Sequence, residues 1–425
     1  MQTRRGFIAG GAAALVVGGC ATSSAVGRAL PAWRRGELDI HFIHTGVGEQ
    51  TFFVFPDGTT MLLDCGDTHH AKYMKDVPPR PDSSRYGGEW VSRYIQRVVA
   101  RREIDYAMVS HWHGDHTGDL AFGGKRTPDG RIVCGLPLVG EDFSFRHYLD
   151  HQYPKIGEHA LDPDSGSLQL MREWIPRAVA GGMQAHRFEV GAVGQIGLLN
   201  DAAAYPEFSV RNIAANGVIW DGAGGTIDAA ATHIARTGRD SIPENRLSAA
   251  IRVDYGPFSY YSGGDNELTM VGADGREFSW EGLVGRTVGP VDVCKTNHHA
   301  GTFGMSPEFV REVRAQAYLS SVWQARMVDH KSLSTMCSRE LYAGDRVVCF
   351  GCVAAPRRAV AAAYGADIAP AGHAVVRVAP GGGEFRVFTV SADDEEMTVL
   401  SERSFASRRA VRRATGGDGF RANMV

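Results

Sequence analysis

One stretch limits what this chain can fold into more than any other. An apolar run from Ile104 to Val109 passes directly into Ser110-His111-Trp112-His113-Gly114-Asp115-His116-Thr117-Gly118-Asp119. Packing does not account for three imidazoles and two carboxylates within ten residues at the end of a strand-like segment. Unpaired polar groups beside a buried strand are costly, so a merely solvated loop explains the run poorly. Neutral imidazole and carboxylate oxygen are the ligands that zinc and its borderline neighbours favour, and catalytic sites keep one coordination position open for water. His111 and His113 are one residue apart, so an extended backbone points both the same way. Gly114 then lets the chain turn and present Asp115 and His116 from another side. A single tight turn can in this way face two metal ions.

The segments before it read as the opening of a mostly antiparallel sheet. Leu38 to Ile43 is strand-like, Thr45 to Gln50 turns the chain, and Thr51 to Phe55 continues it. Pro56-Asp57-Gly58 is a hairpin signal leading to Thr60 to Asp64. Trp90, Val91, Tyr94, Ile95, Val98 and Val99 recur at helical spacing across Glu89 to Arg102. Between Leu120 and Asn245 the pattern weakens. A helix over Ser167 to Ala178, broken at Pro176, and strands at His186 to Val190, Gln195 to Leu199, Phe208 to Ala214 and Val218 to Trp220 are expected, with about 120–165 as an insertion. Signals strengthen again in two strands, Leu247 to Asp254 and Phe258 to Ser262, ending in Gly263-Gly264-Asp265-Asn266-Glu267. A further strand runs into Cys294-Lys295-Thr296-Asn297-His298-His299-Ala300-Gly301. Ser306-Pro307-Glu308 starts a helix, and Ala317 to Val322, Asp345 to Phe350, His373 to Val378 and Phe385 to Val390 read as closing strands.

With 425 residues and 44% hydrophobic content the chain has ample material for a large core. The formal charge of −3 offers no basic field for nucleic acid, and loss of Arg4 and Arg5 with a leader would lower it further. That leader is expected over residues 1–19. Arg4-Arg5 precedes a short apolar segment, Ile8 to Val17, which is too short to span a membrane as a stable helix. Cys20 after Val17-Gly18-Gly19 is a lipidation candidate, and residues 20–36 then form a flexible tether. Localisation would be exported, periplasmic or at the cell surface, with the membrane as partner through the lipid. Arg403, Arg408, Arg409, Arg412 and Arg413 make 401–425 a basic tail. The other six cysteines permit disulfides in an oxidising compartment, and Cys349 and Cys352 are read as a strand pair or local disulfide.

The HxHxDH stretch after an apolar strand resembles the signature of the metallo-β-lactamase superfamily. From Leu38 to Leu333 the chain looks most like the hydrolase domain of ComEC-type DNA-uptake proteins and the phosphorylcholine esterases. Arg4 to Ile8 and Val17 to Cys20 resemble a twin-arginine signal and a lipobox. The resemblance implies an α/β fold, a four-layer αβ/βα sandwich of two mixed, mainly antiparallel sheets with outer helices, spanning 37–400. It implies two divalent cations, zinc first and manganese as the alternative. His111, His113 and Asp265 would hold one, and Asp115, His116, Asp265 and His299 the other, with Asp64 supporting the histidine loop. His298 or His330 would serve the leaving group, and Asp115 is counted among the catalytic residues. Relatives often take a further histidine from the middle of the chain; His147, His151, His159, His186 and His233 are available, none in a clear motif. The implied reaction is attack by an ionised water on a phosphoester, with lactone, amide or thioester hydrolysis second and a catalytically idle binding lipoprotein as the rival class. The substrate would be a small-molecule or polymer ester; nucleic acid enters only by family analogy.

Overall fold

The computed structural model describes residues 24–69, 74, 76–158, 162–238, 242–267, 269–352 and 358–408. The leader, Cys20, His159, Arg409, Arg412 and Arg413 lie outside the described residues. Two large sheets carry the fold, and alternation of side chains along each strand decides what each face meets. In the hairpin Thr51–Val54 and Thr60–Leu63, Phe53, Met61 and Leu63 enter the core between the sheets, whereas Phe52, Val54 and Leu62 turn outward against helices. Both faces are buried, so these strands read as continuous apolar runs rather than as alternating ones.

The first sheet has nine strands. Its antiparallel part runs Val399–Ala406, Glu384–Val390, His373–Val378, Leu38–Phe42, Thr51–Val54 and Thr60–Leu63. A parallel part follows: Glu103–Met108, Ser144–Asp150 and Gln184–Arg187. The second has eight, from Thr226–Asp228, Val218–Trp220 and Phe208–Ala215 through the hairpin Ala250–Tyr255 and Phe258–Ser262. It ends in the parallel set Val293–Lys295, Ala317–Ser320 and Val347–Phe350. Met108, Val253, Tyr260, Leu319 and Val376 meet between the sheets. Helices Gly87–Val98 and Gly166–Ala180 cover the outside of the first sheet through Val91, Ile95, Leu168 and Trp174. Trp280–Val288, Pro307–Val313 and His330–Met336 cover the second through Leu283, Phe309 and Leu333. The order helix, sheet, sheet, helix is the four-layer sandwich expected.

Several expectations are corrected. Residues 120–165 are no insertion: Ser144–Asp150 pairs parallel with Glu103–Met108, Ala107 opposite Tyr148, inside the main sheet. Helix Gly166–Ala180 runs through Pro176, which lies on the solvent side and forfeits only a bond to an outward carbonyl. Gln195 to Leu199 forms no strand, and the strand expected from His186 is Gln184–Arg187. The segment 24–36 is not a free tether, because Gly27 N–H donates to the Val399 carbonyl, Leu30 N–H to that of Met397, and Ala25 is buried under Phe388 and Val390. The basic tail begins later than 401, since Val399–Ala406 is a strand and Arg408 donates to the carbonyls of Val291 and Arg314. All six described cysteines are free and buried. Cys349 faces the core between the sheets and Cys352 the core under the second sheet's helices, so the two point apart.

Inside the first sheet, Asp39 on Leu38–Phe42 is 0% exposed and takes a bidentate pair from Arg377, 3% exposed, at 2.8 and 2.6 Å. Burial alone would raise the carboxyl's pKa, but the guanidinium holds it below the usual range. Replacing one partner leaves a buried charge unmatched, at a cost of about 3–5 kcal/mol. Asp39→Ala is therefore expected to lower the folding free energy by that amount, read as a shift of the urea unfolding midpoint at unchanged slope.

Candidate metal centre

The histidine loop is held by its neighbours' backbone before any side chain is considered. Cys65 N–H donates to the His116 carbonyl, Asp67 N–H to that of Gly114, and Glu49 N–H to that of Asp115, each at 2.8–2.9 Å. Gly66 has to be glycine for this, because a Cβ there would lie 1.8 Å from the Asp115 carbonyl oxygen. Asp64 follows strand Thr60–Leu63 with φ +57°, and its carboxylate accepts from Ser110 N–H and Ser110 Oγ, both at 2.7 Å. It also faces His116 Nδ1 at 2.9 Å. An ionised carboxylate only accepts, so Nδ1 carries the proton and Nε2 of the neutral ring presents a lone pair.

His116 Nε2 points at its counterpart on His299. His116 Nε2 lies 3.3 Å from His299 Nε2, and His299 has Glu49 Oε2 at 3.2 Å from its own Nδ1, off the straight line of a hydrogen bond. Asp115 Oδ2 is 2.9 Å from His299 Nε2, while the two oxygens of Asp265 lie 3.3 Å from His116 Nε2 and 3.2 Å from His299 Nε2. Donors held tetrahedrally at about 2.0–2.2 Å from a zinc ion stand about 3.3–3.6 Å from one another, so most of these spacings match or approach a cation's edges. Glu49, His116, Asp265 and His299 form a buried, metal-capable cluster. Glu49, however, approaches His299 from the Nδ1 side, behind the ring.

Charge points the same way. Glu49, Asp64, Asp115 and Asp265 are all buried, with one lysine, Lys295, among them. The Lys295 ammonium reaches Glu49 Oε1 at 3.0 Å, Asp265 Oδ1 at 3.3 Å and the Gly264 carbonyl at 2.5 Å. Burial works against its charge, but the two carboxylates raise its pKa. Burial likewise opposes charge on His116, yet Asp265, Asp115 and Asp64 push its pKa up to about 10, and His299 is raised by Asp265, Asp115 and Glu49. Protons thus stand where divalent cations would, and the donor set fits the metals expected.

A second group adjoins the first. His111 Nε2 and His113 Nδ1 converge at 3.1 Å; His111 is fully buried and His113 exposed, so the pair opens toward solvent. Burial, and then the neighbouring His116 and His113, press the His111 pKa well down, which keeps it a ligand-competent neutral ring. His151 follows strand Ser144–Asp150 as His111 follows its parallel neighbour Glu103–Met108. Its Nε2 is 3.0 Å from Glu244 Oε1, which also accepts from Trp112 N–H at 2.9 Å. His151 and Glu244 therefore sit beside the first pair.

The remaining expected residues lie elsewhere. His147 and His186 lie against each other at a tilt, 5.6 Å between centroids, and His233 Nδ1 accepts from Val271 N–H. His298 is partly exposed, its Nδ1 2.8 Å from Glu267 Oε2. His330 is the exposed first residue of His330–Met336, and no described hydrogen bond or ion pair joins it to the cluster. His298, His299 and Ala300 have φ of +47°, +54° and +53°, a left-handed turn that L residues adopt only under constraint. Glu281 supplies the constraint: its carboxylate accepts from Asn297 Nδ2, Met305 N–H and Ser306 N–H at 2.7–2.9 Å. Glu49, Lys295, His151, Glu244 and Glu281 adjoin the cluster and were given no role by motif reading. Of these the sequence offers only His151, as one of five histidines in no clear motif, because the strand that precedes it breaks the apolar pattern at Arg146 and His147.

Residues 44–140 match the family model of the metallo-beta-lactamase superfamily. The match takes in Glu49, Asp64 and the whole histidine loop, and the four-layer architecture is the metallo-β-lactamase fold. Asp265 and His299 fall beyond the matched residues; the second sheet's strand ends bring them to the loop. Comparison with curated proteins finds no match. A crystal structure of human tRNase Z, short form, aligns over 66% of this chain and 91% of that one at 14% identity, with a TM-score of 0.30.

Two outcomes follow from this geometry. Asp265→Asn and His299→Ala should each lower bound zinc after gel filtration, measured by elemental analysis, with the folded circular dichroism spectrum retained. In metal-free protein, the charge on His116 contributes stability that is fully present below the unfolded pKa near 6.5 and is lost as pH rises through about 10. Chelator-treated protein should therefore lose thermal stability between those pH values, and zinc-loaded protein should lose much less.

Proposed function

We propose that this chain is a metal-dependent hydrolase whose substrate is a phosphoester or phosphodiester in the cell envelope. The observation that carries this reading is the facing pair of imidazole nitrogens, His116 Nε2 and His299 Nε2, set between Asp115 and Asp265 at strand ends. Divalent cations at such donors supply Lewis acidity and ionise a water near neutral pH. In this reading His111, His113 and Asp265 hold the first cation, and Asp115, His116, Asp265 and His299 the second. Asp64 fixes the tautomer of His116, and Ser110 in turn fixes Asp64.

The open side of the site is the exposed His113. With His151 engaged by Glu244, a cation held by His111, His113 and Asp265 would have few protein ligands and would suit a phosphoryl group that offers two oxygens. That favours phosphorus over a carbonyl carbon. His298, held by Glu267 at the rim, is the assigned proton donor to the leaving group; His330, at the surface, is assigned at most a substrate contact. Export and lipid attachment at Cys20 place the enzyme in the envelope in this proposal. No helix among the described residues is long and apolar enough to cross a membrane.

Purified protein loaded with zinc or manganese is the test, on bis-p-nitrophenyl phosphate, a phosphorylcholine ester and a lactone. Turnover of a phosphoester is expected, abolished by chelator. Asp265→Asn should lower it by more than the roughly 10- to 100-fold that outer partners of a metal cost. Turnover of the lactone alone would favour the second reaction class. Bound metal without turnover on any substrate would favour a binding lipoprotein.

A further inference from the structure

A fully buried lysine in a site built to hold cations needs a reason. Lys295 ends strand Val293–Lys295 at 0% exposure, and its ammonium has three protons and three acceptors: Gly264 carbonyl, Asp265 Oδ1 and Glu49 Oε1. No proton is left for a substrate, so Lys295 is neither a phosphate contact nor a proton donor. Its contacts instead fix two carboxylates. Glu49 has one oxygen on Lys295 and the other at 3.2 Å from His299 Nδ1. Asp265 has Oδ1 shared between Lys295 and His116 and Oδ2 toward His299. Freed of Lys295, the Glu49 carboxylate could rotate away from the back of the His299 ring and toward the donors at its front, because it already lies within their cluster.

We propose that Lys295 is a positioning residue that acts through Glu49, a Lys295–Glu49–His299 chain that aims the His299 ring and keeps Glu49 from becoming a metal ligand itself. This rests on the reading that His299 ligates a metal. The ammonium supplies the counter-charge that lets Glu49 stay buried behind the ring, and Glu49 sets a carboxylate oxygen 3.2 Å from the ring's far nitrogen, a contact that orients the imidazole through charge rather than through a hydrogen bond. The arrangement also explains the turn ahead of Thr51–Val54. That strand pairs antiparallel with Thr60–Leu63, so its start lies at the end of the sheet where the loop residues emerge.

The experiment compares wild type, Lys295→Met, Glu49→Gln and the double variant, each as the full chain freed of metal and reloaded with Co(II). The readouts are the Co(II) ligand-field spectrum and the affinity measured against a competing chelator. Each single variant should shift the spectrum and weaken the affected position by about 10- to 100-fold, the usual cost of losing an outer partner. The double variant should match the more affected single one to within about twofold, since the two residues act in series. Losses that multiply in the double variant would overturn the relay, and so would a Lys295→Met protein with wild-type spectrum and affinity. Should Lys295→Met not fold, Glu49→Gln decides alone, because its unchanged spectrum would also overturn the proposal. Wild type that takes up no Co(II) would instead refute the metal reading itself, a result distinct from metal-loaded wild type with an indifferent Lys295→Met.

Discussion

Everything at this centre depends on an imbalance of charge kept away from water. Four carboxylates, of Glu49, Asp64, Asp115 and Asp265, converge with one ammonium, and the rings between them cannot stay neutral without some other positive charge. Such a group of acids is expensive to bury. It can persist because each acid has a partner: Asp64 takes two bonds from Ser110, Glu49 and Asp265 share Lys295, and Asp115 faces His299. Their remaining oxygens and the ring nitrogens of His116 and His299 face one another, a donor set that suits a divalent cation.

The fold places these groups together through a single rule of construction. Asp64, His111, His151, Asp265 and the left-handed turn with His299 all follow the carboxyl ends of strands. Glu49 precedes a strand antiparallel to Thr60–Leu63 and so reaches the same end. In layered α/β structures that is the side where ligands bind, since chains leaving strand ends diverge and open a crevice. The interior between the two sheets is apolar and keeps the arrangement stiff.

Much of this could be read from the chain because the key residues are neighbours in sequence. His111 to His116 announces itself through density, and Asp265 and His299 through glycine-flanked strand ends. Glu49 and Lys295 were visible as residues but silent as a pair, separated by most of the fold and joined only when the two sheets meet. His151 was hidden by its strand, Ser144–Asp150, whose Arg146 and His147 break the apolar pattern that marks its neighbours. Pro176 misled for a different reason: its penalty depends on which side of the helix faces solvent, which spacing alone does not reveal. The same holds for Cys349 and Cys352, whose CxxC spacing suggested a pair that strand geometry points to opposite faces.

The turn through His298, His299 and Ala300 is held from outside itself, by Glu281 at one end and by Ser332 Oγ donating to the Gly301 and Gly304 carbonyls at the other. Between those anchors Thr302 and Phe303 project into solvent, and Phe303 stacks its ring on that of His298. A change at Thr302 therefore reshapes the lip of the crevice with the anchors of the turn untouched, whereas a change at Phe303 also removes the ring that lies on His298.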